Sequence, residues 1–206
     1  MKTLVLDYGN VISEPQDLTC YDRMSALSGL SADIFRDAFA TYRSEYDRGT
    51  LSGLRMYRSV LDAAKAPGSE AELDALAFAL LTEDLESWSH ISREVTAWAL
   101  SLQASGHPLG ILSNMAFEFL ERYESGIELF SKADVAVFSC QEALIKPEPE
   151  IYQLLLERID CRPQDIVFFD DTAANVEGAR RAGITAFLWT GLDQAKRDWN
   201  QAVREA

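Results

Sequence analysis

The chain opens on an apolar run, Leu4, Val5 and Leu6, that stops at a carboxylate, Asp7. Gly9 and Asn10 then signal a turn, and Pro15 follows. A short apolar run of this kind reads as a buried strand that delivers Asp7 to a sheet edge. Taken alone, Asp7 reads equally well as a turn cap. From about Asp17 to Trp88 the period becomes helical, with no strand. Ile34, Phe35, Ala38, Phe39 and Tyr42 form an i, i+4 stripe, with Ser31 as N-cap and Gly49 as stop. A second helix is predicted from about Leu51 to Lys65, and a third from about Glu70 to Leu81.

Beyond about Ser92 the pattern alternates. A helix over REVTAWALSLQA ends at Gly106, and the apolar run PLGIL ends in Ser113 and Asn114. A helix to about Tyr123 precedes the strand DVAVFS, and prolines start the helix PEPEIYQLLLERI. The strand DIVFFDD ends in Asp170 and Asp171, and a helix stopped by Gly183 leads to a last strand and a C-terminal helix. Strands alternating with helices predict an α/β fold, a doubly wound parallel sheet with helices on both faces. The expected organisation is an α/β core of residues 1–15 and 89–206, interrupted by a helical insert over 16–88. Three strands end in polar residues: Asp7, Ser113–Asn114 and Asp170–Asp171. In a parallel sheet these ends share one edge, where ligands bind.

Composition narrows the chemistry. The 206 residues are 48% hydrophobic, enough for a full core. A net charge of −14 argues against nucleic acid or an anionic membrane as partner. It also means that an anionic substrate needs a local cation. Cys20, Cys140 and Cys161 show no CxxC pairing, which fits a reducing, cytoplasmic setting. The longest apolar stretch, Ala75–Leu81, is too short to span a bilayer.

A carboxylate nucleophile, a hydroxyl, a lysine and a carboxylate pair form a coherent set for phosphoryl transfer. Asp7 can attack phosphorus and form an acyl phosphate. Asp7, Asp170 and Asp171 offer hard oxygen ligands suited to Mg2+. Ser113, the Asn114 backbone and Lys146 can hold the remaining phosphate oxygens. Pro147 keeps Lys146 out of the following helix. Asn175, one turn into the helix after Asp171, is placed to orient the aspartates or Lys146.

These segments resemble the four motifs of the haloacid dehalogenase superfamily: LVLDYGNV, GILSN, IKPEPEIY and IVFFDDTAANVEGARRAGI. The helical insert resembles that superfamily's helical cap on a Rossmann-like core. The first motif, Asp-x-Gly-Asn with Asn10, is similar to that of small phosphatases including enzymes acting on glucose 1-phosphate. The resemblance implies Asp7 as nucleophile, Ser113 and Lys146 as phosphate ligands, and Asp170 and Asp171 as metal ligands. It also implies the Gly9 carbonyl as a metal ligand. A small phosphorylated substrate, sugar phosphates included, and a monomer or homodimer are the expected partners and state.

Gly9 departs from the pattern, because most phosphatases of this superfamily carry an Asp there as general acid and base. Its loss weighs least on a leaving group that needs little protonation, such as an anomeric hydroxyl. Glu14 and Asp17 lie nearby but read better as loop carboxylates. His90 and His107 read as surface residues, and Trp88, Trp98, Trp189 and Trp199 as core or interface. Arg43, Tyr46 and Arg48 lie where a cap turn reaches a leaving group. Two alternatives stand beside the phosphatase: a non-catalytic phospholigand-binding or regulatory relative, and a 2-haloacid dehalogenase, which has no use for the acidic pair.

Overall fold

A computed structural model of the chain describes residues 1–204. Five strands form one all-parallel sheet: β1 Thr3–Leu6, β2 Leu109–Ser113, β3 Val135–Phe138, β4 Ile166–Asp170 and β5 Thr185–Leu188. Their spatial order is β3-β2-β1-β4-β5. The most apolar run of the N-terminus thus becomes the central strand, paired on one edge with β2 and on the other with β4. Successive residues of β1 serve opposite faces. Leu4 and Leu6 join a core with Ile111 and Phe169, whereas Val5 joins Leu112 and Phe168 on the other side.

Helices close both faces, as the alternating pattern predicts. On one side, α5 (Arg93–Ala104) contributes Val95, Trp98 and Ala99, and α11 (Leu192–Arg204) contributes Trp199. On the other, α9 (Pro149–Ile159) buries Ile151, Tyr152 and Leu155, and α10 (Ala173–Arg181) buries Val176 and Ala179. Pro149 opens α9, where a missing N–H costs nothing. The chain runs outward from β1 through β2 to β3, then returns to the far side of β1 for β4. The strand order therefore reverses between β1 and β4, and such a switch point leaves a crevice beyond the strand ends.

Four helices fill the predicted helical interval: α1 Cys20–Ser28, α2 Ala32–Asp47, α3 Gly53–Ala63 and α4 Glu70–Ser87. They pack on one another in sequence, with α1 also against α4. The pattern left α1 undelimited, and α4 runs six residues beyond the expected Leu81. The extension has a physical reason: Asp84, Leu85 and Ser87 are buried, so tertiary packing holds the added turns. A capping box of Ser69 and Glu72 fixes its start. Ser31 occupies the N-cap of α2, but its hydroxyl makes no capping bond.

The two passages between this helical layer and the sheet lie side by side. Ser13 bridges Ile91 antiparallel, and Glu14 N donates to His90 O at 2.8 Å. Gly49 stops α2 with φ +76°. A side chain there would also meet Phe117 at 2.6 Å and the Cys140 carbonyl at 2.9 Å, so this loop sits directly on the sheet half of the molecule. Among the described residues, no helix is long and apolar enough to cross a membrane.

Candidate active site

The central strand β1 ends at Asp7, and a wide turn over Tyr8–Ile12 follows at once. The turn closes through Ser13 N to Tyr8 O at 2.8 Å, and Asn10 takes a left-handed φ of 56°. Asp7 N donates to Phe169 O, which brings the ends of β1 and β4 together. Asp7, Asp170 and Asp171 each offer a carboxylate oxygen within 4.8 Å of the others. The convergence expected of separate strand ends is therefore realised for all three acids.

Lys146 enters this cluster from the loop before α9. Its Nζ lies 2.8 Å from Asp7 Oδ1 and 2.6 Å from Asp170 Oδ2, and donates to Leu112 O at 2.9 Å. The ammonium is 1% exposed. Burial works against its charge, yet Asp7 and Asp170 together hold it above its ordinary value. Burial likewise pushes the Asp7 carboxyl up, against the pull of Lys146. Tyr8 N also donates to Asp7 Oδ1, at 2.7 Å. Both donors fall on that one oxygen.

The supporting amides hold the charged groups in place. Asn175 Nδ2 donates to both Asp170 oxygens, at 3.0 and 3.1 Å, and Thr172 N caps Oδ1 at 2.8 Å. Asn10 Nδ2 donates to Asp171 Oδ2 at 2.7 Å. Asn114 does something that the sequence did not suggest: its side chain accepts from Lys146 N and donates to Lys146 O, at 2.8 and 3.0 Å. It braces the lysine loop against the end of β2. Ser113 ends β2 at 1% exposure, its hydroxyl 3.4 Å from Asn114 O. Asn114 rather than Ser113 lines the adjoining cavity.

That cavity, of about 400 Å³, is lined by Asp7, Gly9, Asn10, Lys146, Asp171 and Asn175 from the sheet side. Arg43, Asp47 and Trp88 wall it from the helical layer. A smaller recess of about 50 Å³ continues between the helices, under Phe39, Tyr46, Asp84, Leu85 and Phe119. Gly9, Arg43, Asp47, Trp88 and Asn114 border both spaces. Arg43 Nε pairs with Asp47 Oδ2 in a short contact, and its guanidinium lies over the Phe39 and Trp88 rings.

Four expectations are sorted by this geometry. Of the basic residues near the end of α2, Arg43 faces the cavity, whereas Arg48 turns away to a bidentate pair with Glu148. Trp88, read from the sequence as core or interface, is a cavity wall. Asp17 is engaged by Arg23 and Thr19, and Glu14 is exposed, in keeping with loop carboxylates. His90 is exposed, and His107 Nδ1 lies 2.9 Å from Lys2 O, so neither histidine borders the cavity.

The sequence missed two buried acids, Asp47 and Asp84, at 4% and 3% exposure. Burial raises Asp47, against Arg43 and Lys146. Burial pushes Asp84 up to about 7, against Arg43 and a hydrogen bond from Tyr57, with Asp47 and Glu118 adding to the rise. Both sit in polar helical segments, where period alone does not separate a buried acid from a solvated one. The Tyr46 hydroxyl is likewise buried, with no hydrogen-bond partner among the described residues.

Residues 1–183 match the family of haloacid dehalogenase-like hydrolases. The chain belongs to this family. A mouse relative, bifunctional epoxide hydrolase 2, is 24% identical over 96% of this hydrolase, which spans only 38% of the mouse protein. A phosphorylated carbohydrates phosphatase from Thermotoga maritima is 45% identical over a segment covering 32% of this hydrolase and 31% of the relative. A family enzyme from Bacteroides thetaiotaomicron, solved with magnesium and inorganic phosphate, has a similar fold. Its TM-score is 0.72 at 17% identity, covering 91% of this hydrolase and 93% of that chain.

Proposed function

We propose that this hydrolase is a Mg2+-dependent phosphatase of a small phosphorylated metabolite, working through an aspartyl phosphate on Asp7. One observation carries the reading: the Asp7, Asp170 and Asp171 carboxylates and the buried Lys146 ammonium meet at one point of a strand-order reversal. Phosphatase relatives and a structural neighbour holding magnesium and phosphate support the same class.

The donor set fits Mg2+. Three carboxylates within 4.8 Å of one another face a single ammonium, which leaves an excess of negative charge that a hard cation offsets. Asp7, Asp170 and Asp171 would hold it, with the Gly9 carbonyl. The ion would supply charge neutralisation for the incoming phosphate.

The chain's own groups then divide the work. Tyr8 N and Lys146 both bind Asp7 Oδ1, which fixes the carboxylate and leaves Oδ2 to attack phosphorus. Lys146 offsets charge on the transferring phosphoryl group, and Asn114 and Leu112 hold it to that position. Asn175 keeps Asp170 aligned against Lys146. The helices α1–α4 act as a cap whose Arg43, Asp47 and Trp88 close the cavity over the leaving group. The recess, at about 50 Å³, has room for about three or four water-sized groups, which favours a compact leaving group.

A phosphate-release screen over phosphometabolites, sugar phosphates included, tests the reading with wild type beside Asp7→Asn. Release that needs Mg2+ and vanishes in the variant is expected. A folded wild type that releases phosphate from nothing in the panel would refute it.

A further inference from the structure

Resting on the phosphatase reading, we infer that Asp47, reaching in from the end of α2, is the general acid and base that serves the leaving group in place of the carboxyl absent at Gly9. Gly9 itself has φ −62° and ψ 128°, a conformation open to any residue, so the backbone does not demand glycine there. Trp88 lies beside it, its Cζ3 3.4 Å from where a Cβ at position 9 would stand, an ordinary van der Waals contact. Glycine brings no acid to this flank, so proton transfer has to come from elsewhere on the wall.

Asp47 is the candidate that the geometry selects. Among the described residues it is the one acid that lines both spaces, the phosphate-side cavity and the recess. On the phosphatase reading, phosphate on the Asp7 side and a leaving group in the recess put the leaving oxygen at that junction. Asp7, Asp170 and Asp171 are engaged with Lys146, Asn175 and Asn10, and Asp84 borders only the recess. Asp47 is also anchored to the sheet half. Its backbone carbonyl accepts from Ser139 Oγ, which in turn accepts from Met115 N at 2.8 Å. The carboxyl is thereby positioned from the core, although it belongs to the cap. Burial raises the proton affinity of its carboxyl, against the pull of Arg43 and Lys146. Arg43 then stabilises the carboxylate left behind after the proton is given.

The two half-reactions balance. In the first, Asp7 Oδ2 bonds to phosphorus, the bond from phosphorus to the leaving oxygen breaks, and the Asp47 carboxyl passes its proton to that oxygen. In the second, a water oxygen attacks phosphorus while Asp47 takes one of its protons. The bond from phosphorus to Asp7 breaks, which frees phosphate and restores the Asp7 carboxylate and the Asp47 carboxyl.

The test is a leaving-group series in Mg2+: alkyl phosphates with poor leaving groups through aryl phosphates up to p-nitrophenyl phosphate. Asp47→Asn keeps the size of the side chain. The expected kcat/KM loss is about 10²–10⁴-fold for alkyl phosphates and less than about tenfold for p-nitrophenyl phosphate, whose leaving group needs no proton. Retained aryl kcat/KM also shows that the variant is folded. Because the base for the second step is lost, p-nitrophenyl phosphate should give a burst of nitrophenolate equal to the enzyme concentration, with slow turnover after it. Equal losses across the series, or none, would overturn the assignment of Asp47. The wild type supplies an independent check: rates falling steeply with leaving-group pKa, as without any acid, overturn it whatever the variant does. A wild type inactive on the whole series refutes the phosphatase reading itself, and the acid with it.

Discussion

Replacing Asp84 by Asn removes a buried charge while keeping the shape of the side chain and an oxygen for the Tyr57 hydroxyl. Asp84 lies 3% exposed between α2, α3 and α4. Arg43, Tyr46 and Asp47 face it from α2, Tyr57 from α3, Tyr21 and Cys20 from α1, and Glu118 from the short helix Phe117–Tyr123 after β2. Its carboxyl titrates near 7 in the folded protein against 3.8 ordinarily. Below about pH 3.8 it is protonated in both states and adds no penalty. As pH rises towards 7, the unfolded chain releases a proton that the folded protein keeps. Stability therefore falls by about 1.4 kcal/mol per pH unit over that window. Above about pH 7 the penalty is constant, at most about 4 kcal/mol. The Asn variant carries none of it. Asp7 shifts in the same direction but is present in both proteins and cancels in the difference. The stability of Asp84→Asn relative to wild type should grow by about 2 kcal/mol from pH 5.5 to 7 and then level off. For a domain of this size that is about 4–8 °C in Tm. Urea unfolding of both proteins at pH 5.5, 6.5, 7.5 and 8.5, without Mg2+, measures it. A difference independent of pH, or a variant less stable than wild type at pH 8, would refute the reasoning.

Two further changes probe the packing around the site. Lys146→Met leaves Asp7 and Asp170 buried against each other, which should cost about 3–5 kcal/mol in urea unfolding. Mg2+ should restore part of that loss, and the deficit should be larger at pH 8 than at pH 5.5, because Asp7, pushed up to about 7 by burial, is then charged without the ammonium that faced it. Identical unfolding with and without Mg2+ would count against a cation at this site. Gly178→Ala places a Cβ 2.8 Å from Tyr152 Cε2 and 3.1 Å from Pro147 Cβ. Tyr152 is fully buried and donates to Asn175 O at 2.8 Å, so it has little room to move. A loss of about 1–3 kcal/mol is expected, and unchanged stability would show that the α9–α10 contact yields.

Much of this hydrolase is legible in its sequence. The alternation after Ser92 gave the α/β class, because parallel strands buried on both faces read as unbroken apolar runs. The same runs end in Asp7, Ser113 and Asp170, and a parallel sheet has to bring such ends to one edge. Lys146 stood out only in company with them, held by its place before two prolines. Helical period marked the interval that holds α1–α4, but not the end of α4. That helix carries apolar residues on most of its circumference, so its limits depend on what packs around it.

Tertiary structure alone decided the rest. Strand order put β4, and not β3, beside β1, and so set Asp170 within reach of Lys146. Arg43 lies in the last turns of α2 and Arg48 just past its end, and only packing sends one to the cavity and the other to Glu148. Asp47 and Asp84 look like ordinary helix-surface acids in SEYDRG and LTEDLES. Their burial comes from four helices and a sheet meeting around them, residues far apart in the chain. Local sequence dictates which groups a strand or helix carries and on which face. The dielectric around a carboxyl, and hence its proton affinity, is set by everything that folds over it.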